Sequence, residues 1–170
     1  HYLPAFAANG KQDITIRQLL THYSGLPPDL DLSFVWQGKQ SAIQMVMDTR
    51  PQTKPGEKFV YSDINFITLG LIVERLCGQS LASYATEHIL KPLGLKSSFF
   101  CPADSLRPFI APTQYDESGH MLRGVVHDPT TRRMGGVAGH AGLFSCAQDC
   151  VTYAQALLDK LSGLPSPFPP

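Results

Sequence analysis

The sequence has 170 residues, enough for one domain with a sizeable buried core. Lysine plus arginine and aspartate plus glutamate both number 14, so the formal net charge is zero. That balance excludes partners held by bulk charge, such as nucleic acid or an anionic membrane surface.

The chain opens on His1-Tyr2-Leu3-Pro4, with no initiator methionine and no signal peptide. It reads as a piece of a longer protein, so the missing leader says nothing about location. No apolar run is long enough to span a bilayer. From Asp13 to Pro28, Thr15 is a good helix cap and Ile16, Leu19 and Leu20 form a helical stripe. Ser24-Gly25 and Pro27-Pro28 end that helix. His22 and Ser24 read as a hydrogen-bonded pair at the helix end, because Ser24 lacks the Gly-x-Ser-x-Gly setting of a nucleophile. Residues 29–38 form a loop whose Trp36 is expected to plug the core. Gln40 to Thr49 is a helix through Ala42, Ile43, Met45, Val46 and Met47, with the methionines as packing.

Pro55 to Gly78 organises the rest. Pro55-Gly56 is a turn, and Phe59, Val60 and Tyr61 favour an extended approach. Ser62 or Asp63 can cap a helix that starts near Ile64 and stops at Gly78. That helix is apolar on nearly every face, which marks it as buried. Tyr61 and Asp63 therefore stand at the mouth of a central helix, where a cleft could use them. A cap and a core tyrosine are the plainer roles for those two residue types.

Ser80 caps a further helix whose buried stripe is Leu81, Tyr84, Ala85, His88 and Ile89; Lys91-Pro92-Leu93-Gly94 ends it. Residues 98–127 change character. Ser98 to Phe100, Ile110 to Tyr115 and Met121 to Val126 are strand candidates, with a hairpin turn at residues 117–119. Asp128-Pro129 begins a turn or short helix, and Arg132 and Arg133 read as a solvated face. After a glycine-rich loop, Ala147 to about Leu161 is a final helix expected to bury Val151, Ala154, Leu157, Leu158 and Leu161. The proline-rich end, Pro165 to Pro170, is expected to fray. Cys77, Cys101, Cys146 and Cys150 contain no Cys-x-x-Cys pair, so they read as small buried thiols rather than a zinc site, with a disulfide as the minor alternative. A zinc hydrolase would need His120, His127, Asp128 and His140 to converge, which their spacing does not require.

Four ordered stretches carry a resemblance. They are Leu19-Leu-Thr-His-Tyr-Ser-Gly-Leu-Pro27, Tyr61-Ser62-Asp63 opening a buried helix, Pro92-Leu-Gly-Leu95 with Ser98-Phe99 behind it, and Gly135-Gly-Val-Ala-Gly-His-Ala-Gly-Leu-Phe-Ser145. Together, over about Asp13 to Leu161, they resemble the serine β-lactamase and penicillin-binding-protein family, in its class C-like branch. Tyr61-Ser62-Asp63 is similar to that family's Tyr-x-Asn element, with Asp in place of Asn. The resemblance implies a serine hydrolase of β-lactam, D-alanyl peptide or ester carbonyls that works through an acyl-enzyme outside the cytoplasm. It implies Tyr61 and Asp63 as catalytic residues, Gly139 and His140 beside the substrate, and no metal or cofactor. A phenol titrates near ~10 and needs a neighbouring cation to act as a base at neutral pH.

The sequence then departs from the family. No serine is followed three residues later by lysine, and His140-Ala141-Gly142 precedes a helix instead of lying on a strand. The expected fold is therefore mainly α with a small antiparallel β part: the helical region of the α/β β-lactamase/DD-peptidase-like fold without its full main sheet. Residues 13–97 would be the helical region, 98–127 the β part, 128–162 the loop and final helix, and 163–170 the tail. The nucleophile segment is expected before this stretch and the closing strands after it, leaving it silent alone and able to self-associate through an exposed apolar face. The alternative is a non-catalytic peptidoglycan-binding or interaction module of the same fold.

Overall fold

The computed structural model describes residues 1–116 and 118–168. Among the described residues six α-helices carry most of the regular structure: α1 (Ile16–Leu20), α2 (Lys39–Asp48), α3 (Asp63–Cys77), α4 (Leu81–Ala85), α5 (Pro129–Arg133) and α6 (Ala147–Leu161). α4 runs on into a wider π-type turn at Thr86–Leu90. Two antiparallel ribbons complete the fold. β1 (Phe99–Phe100) pairs with β4 (Leu143–Phe144), with Phe99 opposite Phe144. β2 (Pro112–Tyr115) pairs with β3 (Met121–Arg123), with a bulge between Pro112 and Gln114. The fold is mainly helical with a small antiparallel part, as the sequence leads one to expect. The β1–β4 pairing is unforeseen, because two-residue strands give no alternation to read. Of the hairpin turn, Glu117 lies outside the described residues; Asp116 organises the rest by accepting the N–H groups of Ser118 and His120. Pro169 and Pro170 of the tail lie outside them too.

The core forms where α1, α2 and the first half of α3 meet. Leu19, Ala42, Val46, Ile64 and Ile67 are almost wholly buried, each large side chain contributing about 2 kcal/mol by leaving water. Trp36 plugs this core, donating Nε1–H to the Asp31 carbonyl at 2.9 Å. α1 is fixed by a capping box between Thr15 and Gln18. Lys11 is buried, with Nζ on the Met47 carbonyl at 2.8 Å. It supplies a cation where the end of α2 leaves carbonyls unpaired. Glu74 joins three helices: it pairs with Lys39 of α2 at 2.5 Å and accepts the Leu81 N–H of α4 at 2.8 Å. Asp149, in the first turn of α6, accepts from Ser97 N–H and Ser98 Oγ, both at 2.8 Å, and so anchors α6 beside β1.

Several expectations are corrected. The α6 stripe assigned to the core is on the surface, with Val151 62% and Leu161 84% exposed; only Asp149 and Ala156 of that helix are buried. The second half of α3 is also less covered than its composition indicates, with Leu76 64% exposed. A periodic apolar stripe shows that a face needs cover, not that this stretch of chain supplies it. His88 is exposed, not core-facing. The cysteines are free thiols, but Cys101 and Cys150 are exposed and the other two half-buried. Arg132 and Arg133 are not a solvated face. Arg132 donates to the Val126 and His127 carbonyls, and Arg133 to the Phe34 carbonyl while lying 5.3 Å over the Trp36 ring.

Candidate active site

The approach to α3 is laid along the segment that follows α1. Gly56 N–H donates to the Tyr23 carbonyl (2.7 Å), Val60 N–H to the His22 carbonyl (2.9 Å) and Asp63 N–H to the Pro28 carbonyl (2.7 Å). Ser62 is the cap residue, but its hydroxyl does not cap α3; it donates to the Pro27 carbonyl at 2.6 Å. The two sequence stretches singled out above, residues 19–27 and 61–63, are thus one structural unit.

His22 and Ser24 do not bond each other. Ser24 Oγ donates to Asn65 Oδ1 at 2.5 Å, and Asn65 Nδ2 lies 3.2 Å from His22 Nδ1. His22 Nδ1 also accepts the Ser62 N–H at 3.0 Å. Asn65 is wholly buried, and this arrangement uses both ends of its amide. The His22 ring lies against the Tyr61 ring, centroids 4.6 Å apart and planes tilted by 32°. Tyr61 itself is 64% exposed.

Asp63 faces a different set of groups. One polar atom each of Asp63, Asp128 and His140 lie within 4.8 Å of one another. Asp128 caps α5, accepting the Thr131 N–H at 2.5 Å, and its Oδ1 meets His140 Nε2 at 2.9 Å. Thr131 Oγ1 lies 3.0 Å from the same nitrogen. The His140 side chain is only 4% exposed, and its Nδ1 has no partner among the described residues. Asp29 stands at the edge, its carboxylate receiving Thr130 Oγ1 at 3.0 Å. Burial pushes the Asp63 carboxyl up, and Asp29 and Asp128 push the same way against His140 and His22. Burial likewise raises Asp29. Burial acts on Asp128 too, but the hydrogen bonds from His140 and Thr131 outweigh it and hold that carboxyl at about 2.

These shifts oppose each other in their effect on stability. A depressed carboxyl stabilises the fold above its ordinary value, and that contribution disappears as pH falls through about 2. The raised Asp63 and Asp29 act the other way: their charge costs stability at neutral pH, and acid relieves it. Asp128→Asn is expected to lose about 2 kcal/mol at pH 7 and little at pH 2, whereas Asp63→Asn gains stability at pH 7. Urea titrations at both pH values check this, and equal losses for Asp128→Asn at both would refute it.

Asp63, Asp128 and His140 could each offer one ligand atom to a cation. His140 Nε2 and Asp128 Oδ1 are already bonded to each other, so a cation would have to break that pair. The four-residue zinc set does not assemble, since His120 and His127 are exposed on the surface. Gly139 packs against α3: a side chain there would collide with the Phe66 carbonyl, and Gly70 stands opposite. Gly139 and His140 also line a groove of about 1160 Å³ whose walls include Leu20, Phe66, Leu69, Leu76 and Phe144. In the sequence Asp128 stood out only as one of four possible zinc ligands, and Asn65 and Asp29 not at all. An Asp-Pro pair has the form of an ordinary helix cap, and Asp128 is one.

The family model described as Beta-lactamase matches residues 1–166. A curated relative from Escherichia coli (strain K12), named "Putative D-alanyl-D-alanine carboxypeptidase", is 34% identical over 190 aligned residues covering 93% of this chain and 43% of its own length. A like-named protein from Salmonella schwarzengrund (strain CVM19633) is 33% identical, with 92% and 41% covered. The chain thus spans less than half the length of these relatives. Among solved structures, the β-lactamase/D-alanine carboxypeptidase from Pseudomonas syringae superposes with a TM-score of 0.74 at 20% identity, over 98% of this chain and 44% of that one. A class C β-lactamase gives 0.71 at 19% identity, over 92% and 41%. The last two show the shared fold, and the family match over nearly the whole sequence shows the relationship: this chain belongs to the Beta-lactamase family.

Proposed function

We propose that this chain is the helical part of a longer serine hydrolase that acts outside the cytoplasm on β-lactam, D-alanyl peptide or ester carbonyls through an acyl-enzyme. Tyr61 would move the nucleophile's proton, and Asp63 would take the place of the family's Asn. Gly139 and His140 would stand beside the bound substrate. The observation that carries this reading is the joint placement of the three segments. Residues 22–28 hold the Tyr61-Ser62-Asp63 backbone, and Asp63 in turn reaches His140. No such placement is needed for a cap and a core tyrosine. An ionised Asp63 can accept a hydrogen bond but cannot donate one as Asn does. Burial favours its protonated form, which can.

The test is kinetic. In the full-length parent, Tyr61→Phe is expected to slow acylation by a reporter ester or penicillin on the order of 10²-fold. An unchanged rate would remove Tyr61 from the mechanism and favour a non-catalytic, peptidoglycan-binding module of the same fold.

A further inference from the structure

We infer that His22 is a positioning residue for Tyr61, an inference that rests on the catalytic reading of Tyr61. α1 ends at its C-cap, Thr21, and His22 follows with φ +60°. That left-handed conformation after a helix is where glycine is the usual residue, and most other side chains strain it. The chain holds an imidazole there instead, and the imidazole has two contacts glycine could not make. Its ring is stacked on Tyr61 at 4.6 Å, with Phe66 on it at 5.2 Å. Its Nδ1 accepts the N–H of Ser62, the residue after Tyr61. A backbone N–H can only donate, so Nδ1 carries a lone pair and the proton of the neutral ring is on Nε2. Asn65, fixed by Ser24, backs the same nitrogen.

His22 thus holds both the plane of the Tyr61 ring and the peptide that follows it. Tyr61 needs such a restraint. Its ring is largely exposed, and its hydroxyl makes no hydrogen bond among the described residues. A side chain in that state exchanges rotamers freely, and misplacing a reacting group by about 1 Å can cost about 10²-fold in rate. Local strain retained beside a reacting group is a known signature of such pre-organisation.

The test uses the full-length parent with ring-¹³C tyrosine and two substitutions. His22→Asn tolerates the left-handed backbone and keeps an acceptor for Ser62 N–H, but removes the ring. His22→Phe keeps the ring and removes the acceptor. In His22→Asn, the Tyr61 ring signals are expected to lose the ring-current shift from the imidazole, and kcat for acylation to fall about 10-fold with KM within about twofold. In His22→Phe the Tyr61 signals stay shifted while exchange of the Ser62 amide speeds up. Thermal melts of both variants confirm that they fold. The inference is overturned if the Tyr61 signals of His22→Asn match those of the unsubstituted protein, or if its rate is unchanged while Tyr61→Phe slows the same protein on the order of 10²-fold. If Tyr61→Phe slows nothing, the catalytic reading of Tyr61 fails, and the ring signals alone still decide whether His22 holds Tyr61 in place.

Discussion

Incubated with a fluorescent penicillin and with an activated ester, the 170-residue chain is expected to carry no acyl adduct on any serine. Acyl transfer requires a nucleophile activated by a neighbouring base. Ser24 and Ser62 belong to the two segments that meet at Tyr61 and Asp63, and both hydroxyls are already committed as donors, to Asn65 and to the Pro27 carbonyl. No serine has lysine three positions on. Residual catalysis after loss of a nucleophile depends on the rest of the site being intact. The nucleophile, its lysine and the closing strand of the proposed hydrolase would all belong to the part of the longer protein that this chain does not span. Intact-mass measurement after incubation checks the expectation; a stoichiometric adduct would overturn the reading of the chain as one part of a larger enzyme.

The groove of about 1160 Å³ exceeds the roughly 300–1,000 Å³ of ordinary small-molecule sites. It is walled by apolar side chains of α1, α3 and β4, with Leu20, Leu76 and Leu143 still exposed. α6 adds Val151, Leu158 and Leu161 to the exposed apolar surface. Apolar area on this scale is characteristic of a docking face, and in the longer protein the missing main sheet would cover it. The isolated chain is expected to self-associate, seen as a concentration-dependent rise in light scattering. A stable monomer without adduct would leave the catalytic argument standing and refute the one from exposed area.

The sequence shows the elements that local chemistry specifies. Thr15 before α1 and Gly78 after α3 have recognisable signals, and each is used as expected. What escapes it is pairing over distance. Asp128 is a cap by every local criterion, and nothing near it says that its other role is to hold His140, 12 residues on. His22 and Ser24 look like partners because they are neighbours, yet each bonds Asn65, which is 43 and 41 residues away. Burial is misjudged on α6, where the apolar periodicity is present but Val151, Leu158 and Leu161 stay on the surface. Arg132 and Arg133 mislead because backbone carbonyls, which satisfy both, leave no trace in composition.

Gly139→Ala is expected to destabilise the chain by about 3 kcal/mol, at the upper end of ordinary overpacking. Its backbone is not in the left-handed region, so the loss comes from space alone. The new methyl group would fall on the Phe66 carbonyl of α3, close to the Gly70 nitrogen; both are helix backbone and cannot swing aside as a side chain can. The loop from Ala138 to Gly142 would have to lift away, taking the adjacent His140 from Asp128 and Asp63. Gly135 provides the control in the same loop. Its φ of +93° strains any side chain, but a methyl group there meets nothing within 4 Å, so Gly135→Ala is expected to lose only about 1 kcal/mol. Urea titrations of the two variants separate the contributions. If strain rather than close approach governed this loop, Gly135→Ala would be the worse of the two. If close approach governs it, Gly139→Ala is worse, and it also loses part of the acid dependence contributed by Asp128, because that carboxyl has lost its imidazole partner.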